Sequence, residues 1–279
     1  MKYTTLTNGI KMPMFGLGTF KVETGNTAYQ TVLTALQMGY RHIDTAQMYG
    51  NESDIGKAII DSKIPRNEIF ITTKQIDHHH GNKAKIMADI DESLKKLQVE
   101  YVDLLLIHWP NHEDIINHQV WSVLETAYKQ GKAKAIGVSN FLRHHLEALF
   151  KKCDIKPMVN QVEMHPGLNQ APLKKYLDLH DIKMISYGPF MKGGIYEDPY
   201  VKPLTELALT YQITVAQLVI AWGLQRDILM IPKSANTTRL KENFDAQDIV
   251  LKAEDILKIN KLSKAKRVYT DPDNNPFNE

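Results

Sequence analysis

Apolar or β-branched runs of strand length recur along the chain at Met14–Leu17, His42–Thr45, Ile69–Lys74, Val102–Trp109, Ala133–Val138, Met158–Glu163, Lys183–Tyr187 and Ile228–Ile231. Segments of helical period lie between them: Thr27–Met38, Glu52–Ile60, Lys83–Leu97, Gln119–Lys129, Leu142–Lys152 and Val215–Gln225. In the third, Ile86, Ile90, Leu94 and Leu97 form one apolar stripe. Strands that alternate with helices must pair in parallel, because each return to the same end of a sheet needs a crossover. Eight such units predict an α/β fold of the (β/α)8 TIM barrel type, with a doubly wound sheet as the structural rival. Ahead of the repeat, Asn8-Gly9 separates Thr4–Thr7 from Ile10–Met12 and predicts an N-terminal β-hairpin whose two turn residues both take φ > 0. Two extra helices are expected, Tyr200–Tyr211 before Val215–Gln225 and Ala253–Ser263 after the eighth unit, and the turn-rich stretch 267–279 should be an irregular tail. With no linker, repeat or low-complexity tract, residues 1–279 read as a single domain.

Composition narrows the function. Lys+Arg 34 against Asp+Glu 32 leaves a net charge of +2, which gives no reason to expect nucleic acid or an acidic membrane surface as a partner. The single cysteine, Cys153, cannot form an internal disulfide, and no apolar run is long enough to span a bilayer. The first nine residues have no apolar core of the signal-peptide type, so the expectation is a cytoplasmic protein, a monomer acting on a small molecule.

In such barrels the working residues sit at the C-terminal ends of the strands. The second run ends in Asp44 and leads to Tyr49, the third ends in Thr72-Thr73-Lys74, and the fourth ends in Ile107-His108-Trp109-Pro110. Taken singly, a lysine at a strand end is usually a solvated edge residue, and a histidine inside Leu104–Trp109 is more often a satisfied core residue. Together they form a chemical unit. A tyrosine ionises near pH 10 and needs help to exchange a proton near neutrality. A nearby ammonium favours the phenolate, a carboxylate behind the ammonium keeps it charged, and the histidine is free to orient a substrate oxygen.

These residues stand within Gly16-Leu-Gly18-Thr19, His42-Ile-Asp44-Thr-Ala-Gln-Met-Tyr49-Gly-Asn-Glu, Thr72-Thr-Lys74, Leu106-Ile-His108-Trp-Pro, Gly137-Val-Ser139-Asn140-Phe, Asn160-Gln161-Val-Glu-Met-His-Pro and Ile231-Pro-Lys233-Ser234, followed by Arg239 and Glu242-Asn243. In this order and spacing the chain resembles an aldo-keto reductase over nearly its whole length, and its tail resembles the smaller prokaryotic, 2,5-diketo-gluconate reductase-like members. The resemblance implies NADPH-dependent reduction of aldehydes and ketones of broad scope. Tyr49 would be the proton donor, Lys74 and Asp44 its tuning pair, and His108 the group that positions the carbonyl. It also implies an extended NADPH bound without a Rossmann fold. Ser139, Asn140 and Gln161 would hold the carboxamide, with Gly18, Thr19 and Asp44 alongside. Tyr187 would stack on the nicotinamide, and Gly188, Pro189, Phe190 and Lys192 would line the pyrophosphate. Lys233, Ser234, Ala235, Asn236 and Arg239 would surround a 2′-phosphate, which an arginine fork suits, and Glu242 and Asn243 would reach the adenine. Phe20, Tyr49, His108 and Trp109 would face the substrate.

The chain departs from the family's frequent pattern at Phe20, where tryptophan is common, and after Lys74, where Gln-Ile-Asp-His-His-His-Gly replaces an early aromatic. Both changes bear on substrate identity rather than on reaction type. No metal site is expected, since the consecutive His78-His79-His80 cannot all face one ion, and Gly137-Val-Ser-Asn-Phe lacks the second glycine of a nucleophile elbow. A redox-sensing binding module that holds the cofactor mainly for regulation is a second reading. A metal-dependent barrel hydrolase is a third, poorly served by His42-Ile-Asp44.

Overall fold

The chain opens with an antiparallel hairpin, β1 (Tyr3–Thr5) and β2 (Lys11–Pro13), in a computed structural model that describes residues 1–276. The turn differs from the expected one. Gly9 is left-handed (φ 87°) and Asn8 is not; Gly9 N–H donates to Leu6 O, and Leu6 N–H donates to Ile10 O. The connection is a Thr7-Asn8-Gly9 loop with glycine at the bulge. Asn8 is occupied otherwise, its side chain donating to Lys134 O and accepting Ile10 N–H.

Strands β3 (Leu17–Gly18), β4 (His42–Asp44), β5 (Phe70–Gln75), β6 (Leu104–Ile107), β7 (Ile136–Ser139), β8 (Val159–Glu163), β9 (Lys183–Tyr187) and β10 (Ile228–Met230) pair in parallel, each with its neighbour in sequence. Met230 N–H donates to Met14 O at 2.9 Å and Gly16 N–H to Met230 O at 3.0 Å, with a parallel bridge between Phe15 and Met230. The sheet therefore closes on itself as the expected barrel, whereas a doubly wound sheet would keep two free edges. Three expected strands shrink by two residues or more, those of β3, β6 and β7. Met14 and Phe15 are spent on the seam, and Val102 bridges only Ala133.

Helices α1 (Asn26–Gln37), α2 (Glu52–Asp61), α3 (Lys83–Leu97), α4 (Asp114–Lys129), α5 (Arg143–Phe150) and α6 (Ala171–Asp178) follow β3 to β8 in turn. The stripe of α3 is buried as its spacing predicts, and the Asn82 side chain caps the helix by accepting Lys85 N–H. α4 begins at Asp114 rather than Gln119: only Asp114 and Ile115 of its first turn are exposed, and the buried stripe already starts at Ile116, one turn before the expected start. α7 (Val201–Thr210) precedes α8 (Val215–Leu224), and α9 (Thr237–Asp245) and α10 (Ala253–Asn260) follow β10. The two extra helices are thus α7 and α10. α8 is buried all round except at Gln217, so a helix apolar on every face needs the cover that α7 supplies. The tail carries one 3-10 turn, Pro272–Asn274; positions 277–279 of the expected irregular stretch lie outside the described residues.

The side-chain period of two divides the core. Leu104 and Leu106 of β6 join Phe70, Val159, Ile185 and Leu229 inside the barrel, where Leu6 and Met12 of the hairpin plug its N-terminal end. Leu105 and Ile107 face the helices. With one end plugged, the other is left for chemistry.

Candidate active site at the open end of the barrel

Asp44 ends β4, and Lys74 lies one residue before the end of β5. Lys74 Nζ donates to Asp44 Oδ1 at 2.5 Å and to Thr45 O at 2.8 Å, and stands 3.4 Å from the Tyr49 hydroxyl. Tyr49 arrives on a 3-10 turn, Gln47–Tyr49, which Gly50 ends in the left-handed region (φ 70°). Asn51 secures this turn by donating to Thr19 O and accepting from the Thr45 hydroxyl, while the Thr19 hydroxyl donates to Asp44 O. His108, just past β6, places Nε2 3.5 Å from the Tyr49 hydroxyl. The four residues picked out at the strand ends therefore converge.

Neighbouring strands supply a second polar set. Ser139 and Gln161 are direct partners in the β7–β8 register, and the Ser139 hydroxyl donates to Gln161 O. Gln161 Nε2 donates to Asp44 Oδ2 at 2.7 Å, so each oxygen of that carboxylate has its own partner. Asn140 sits at φ 65°, a conformation asparagine tolerates better than most residues; its amide donates to His108 O and accepts from the Tyr187 hydroxyl at 2.7 Å. Those bonds lock the floor of the site across four strands.

Burial dominates the electrostatics. It pushes the Asp44 carboxyl up and the Lys74 ammonium down, each opposed by the charge of the other. His108 is held well below the usual histidine range by burial and then by the Lys74 charge. From sequence alone, the ammonium should draw the Tyr49 phenol down. Instead, burial and then the Asp44 charge hold it well above 10, so the hydroxyl keeps its proton. Lys74 stands ready to stabilise a phenolate only once that proton has left.

A cavity of about 1160 Å³ opens above this floor, larger than the roughly 300–1,000 Å³ usual for a single small ligand. The anticipated Gly18, Phe20, Asp44, Tyr49, His108 and Trp109 line it, as do Ser139, Asn140, Gln161 and Tyr187. So do Gly188, Pro189, Phe190 and Lys192, then Lys233, Ser234, Ala235, Asn236, Arg239, Glu242 and Asn243. Thr19 and Lys74 lie behind the lining, as buried supports. Gly18 is needed as glycine, because a Cβ there would stand 2.7 Å from Ile231 O. In the His78–His80 loop, His79 Nε2 pairs with Asp89 Oδ2 at 2.9 Å.

Sequence reasoning missed several walls of the cavity: Lys21, Met48, Gly193, Tyr196, Ala216, Ile231, Tyr269 and Thr270. Lys21 could have been found, since it follows Phe20 in a turn-like stretch beside a candidate rim residue. Tyr269 and Thr270 carry no local signal, because a tail of turn formers does not say what it folds against.

The sequence matches the profile of the Aldo/keto reductase family over residues 14–264. The chain belongs to the aldo/keto reductase family. As an aldo/keto reductase it is an oxidoreductase enzyme, and it is 44% identical over 268 residues to a glyoxal reductase of Bacillus subtilis (strain 168), covering 96% of this chain and 95% of that one. Among solved structures it resembles MGS-M4, an aldo-keto reductase from a Medee basin deep-sea metagenome library, with TM-score 0.93, 41% identity and coverage of 98% and 99% of the two chains. A Bombyx mori aldo-keto reductase in complex with NADP is similar at TM-score 0.89 and 32% identity, covering 96% of this chain and 95% of that one. These neighbours share the barrel. Carbonyl reduction is the chemistry such relatives support.

Proposed function

We propose that this aldo/keto reductase uses one barrel domain, residues 1–279, to reduce small aldehydes and ketones, dicarbonyls such as glyoxal among them, with NADPH as reductant and Tyr49 as proton donor. One observation carries the reading: the Tyr49 hydroxyl stands between Lys74 Nζ (3.4 Å) and His108 Nε2 (3.5 Å) on the floor of a cavity of about 1160 Å³, more than a single small ligand needs.

The lining suits the cofactor chemically. Ser139, Asn140 and Gln161 offer the donors and acceptors a primary amide requires. Tyr187 presents a ring for stacking, Lys21 and Lys192 offer positive charge along the middle, and Lys233, Ser234 and Arg239 offer two cations and a hydroxyl to a 2′-phosphate. When bound, the nicotinamide supplies a hydride to the carbonyl carbon. The chain's own residues do the rest. His108, held neutral, hydrogen-bonds the carbonyl oxygen and orients it. Tyr49 transfers its phenolic proton to that oxygen as negative charge develops there. The resulting phenolate lies beside the Lys74 ammonium, and Asp44, anchored by Gln161, keeps that ammonium charged and aimed.

The cysteine count, one half-buried Cys153 whose thiol burial pushes up, accords with the expected cytoplasmic location, and a monomer suffices because a single chain supplies every group invoked. The test is NADPH oxidation followed at 340 nm with glyoxal, methylglyoxal, ketones and keto-sugars. Turnover with at least one dicarbonyl is expected. Tight NADPH binding with no turnover on any of them would instead support a redox-sensing module.

A further inference from the structure

The C-terminal segment is held by a buried group that the reduction chemistry does not use. Glu163 ends β8, and both it and His165 are buried. Glu163 Oε1 accepts Val268 N–H at 2.6 Å and Tyr269 N–H at 3.3 Å, and lies 2.9 Å from His165 Nε2. Oε2 stands 3.7 Å from the Arg267 guanidinium. The same stretch of chain is fastened on its other sides. Lys264 and Lys266 both donate backbone N–H to Gly167 O, and Lys192 Nζ donates to Val268 O.

Immediately beyond this anchor the chain forms a wall of the cavity. The Tyr269 ring meets Tyr187 edge-on at 5.3 Å and 87°, close enough that a Cβ on Gly188 would stand 2.4 Å from it. Tyr269 and Thr270 line the cavity, and Glu163 does not. A more distal fastening exists, where His144 and His145 place Nε2 at 3.0 and 3.3 Å from Asp273 Oδ1. That cluster has the spacing of metal ligands, yet His145 Nδ1 accepts Leu142 N–H, which leaves the ring proton on Nε2 facing Asp273. It is a hydrogen-bonded latch at the surface, where such pairs hold weakly. Removing the Glu163 carboxylate is a different matter, because it strands two backbone donors and leaves the Arg267 guanidinium with Asp271 alone, at 4.0 Å.

We propose that Glu163 is a positioning residue that fixes Tyr269 and Thr270 as a wall of the cavity beside Tyr187, and so sets the affinity for the carbonyl compound without touching it. The inference rests on the carbonyl-reductase reading for its kinetic consequence and on the anchor geometry for its mechanical one. Glu163→Gln and Glu163→Ala in the full chain, compared with wild type, separate the two.

Tryptic cleavage after Lys264, Lys266 and Arg267, followed by intact mass, should quicken about tenfold in Glu163→Ala. KM for methylglyoxal should rise about tenfold in Glu163→Ala while kcat stays within about threefold, the pattern of lost binding without lost chemistry, and should rise less in Glu163→Gln, which keeps an accepting oxygen. In a Tyr269→Ala background the same Glu163→Ala change should raise KM less than about twofold, since the residue it acts through is gone. If Glu163→Ala does not fold, Val268→Pro removes the principal donor and leaves the carboxylate in place, and must give the same quickened cleavage after Lys264 and Lys266, the bond after Arg267 itself resisting trypsin once proline follows it. Unchanged cleavage with unchanged KM overturns the proposal, and so does a full tenfold KM rise in the Tyr269→Ala background. A wild type that reduces no carbonyl defeats the proposed function instead, and the anchor is then decided by the cleavage rates.

Discussion

Replacing Arg239 with alanine tests the phosphate end of the cavity with the least ambiguity, because NADH serves as an internal control. Arg239 lies in the first turn of α9, whose N-terminus is capped by Asn236; Lys233 and Ser234 precede it in the loop. A 2′-phosphate carries roughly −1.5 to −2 charge at neutral pH, and a helix N-terminus already favours anions. A charge-assisted hydrogen bond is worth ~1.5–3 kcal/mol. Arg239 is exposed, so only one of the two bonds its fork could make is counted, the other being surrendered to solvent. At ~1.4 kcal/mol per tenfold, the loss corresponds to a rise of about 10- to 100-fold in the NADPH dissociation constant. NADH has no group at this position and should change less than about twofold. Raising the salt from 0.1 to 1 M shortens the screening length from ~10 to ~3 Å, so the gap between the cofactors should narrow. Fluorescence titration of both cofactors against wild type and variant reads all three quantities. Equal losses for the two cofactors, or a wild type that prefers NADH, would refute the assignment.

Tyr49→Phe should lower the rate of reduction about 10²–10⁴-fold, the usual worth of a general acid, with NADPH affinity nearly unchanged; near-full turnover would remove Tyr49 from its role. Lys74→Met should also cripple turnover, and because the ammonium is what favours the phenolate, the fall in rate as pH rises through the Tyr49 ionisation should move to higher pH. An unmoved profile with persistent rate contradicts that pairing. His42 is buried against Thr72, its ring held to about 3 by burial and then by the Lys74 charge. Since this lies below the unfolded value near 6.5, the stability it contributes is present above pH 6.5 and lost on acidification, at ~1.4 kcal/mol per pH unit. Urea unfolding should therefore show the stability gap between wild type and His42→Gln shrinking from pH 7 to pH 5; a constant gap would mean that the buried ring already titrates normally.

The repeat was legible in the chain from end to end. Eight apolar runs alternating with helical segments admit few arrangements, because parallel pairing requires crossovers, and the barrel with its extra helices α7 and α10 came from spacing alone. The same periodicity put Asp44, Lys74 and His108 at strand ends, where a barrel collects its chemistry, and the family motifs named most of the cavity lining. Contacts remote in sequence settled the rest. In the hairpin turn Asn8 donates to Lys134 O across the molecule, and α4 began one turn early, on a stripe that starts at Ile116. Composition cannot report how much water a site retains. Burial therefore reversed the expected direction for Tyr49, whose phenol keeps its proton although Lys74 Nζ lies 3.4 Å from the hydroxyl. The tail offered only turn formers to a reader of the sequence, yet Tyr269 and Thr270 line the site, and the backbone N–H groups of Val268 and Tyr269 donate to a carboxylate far upstream, Glu163. A backbone hydrogen bond to a distant side chain leaves no trace in local pattern, since every residue but proline brings the same donor.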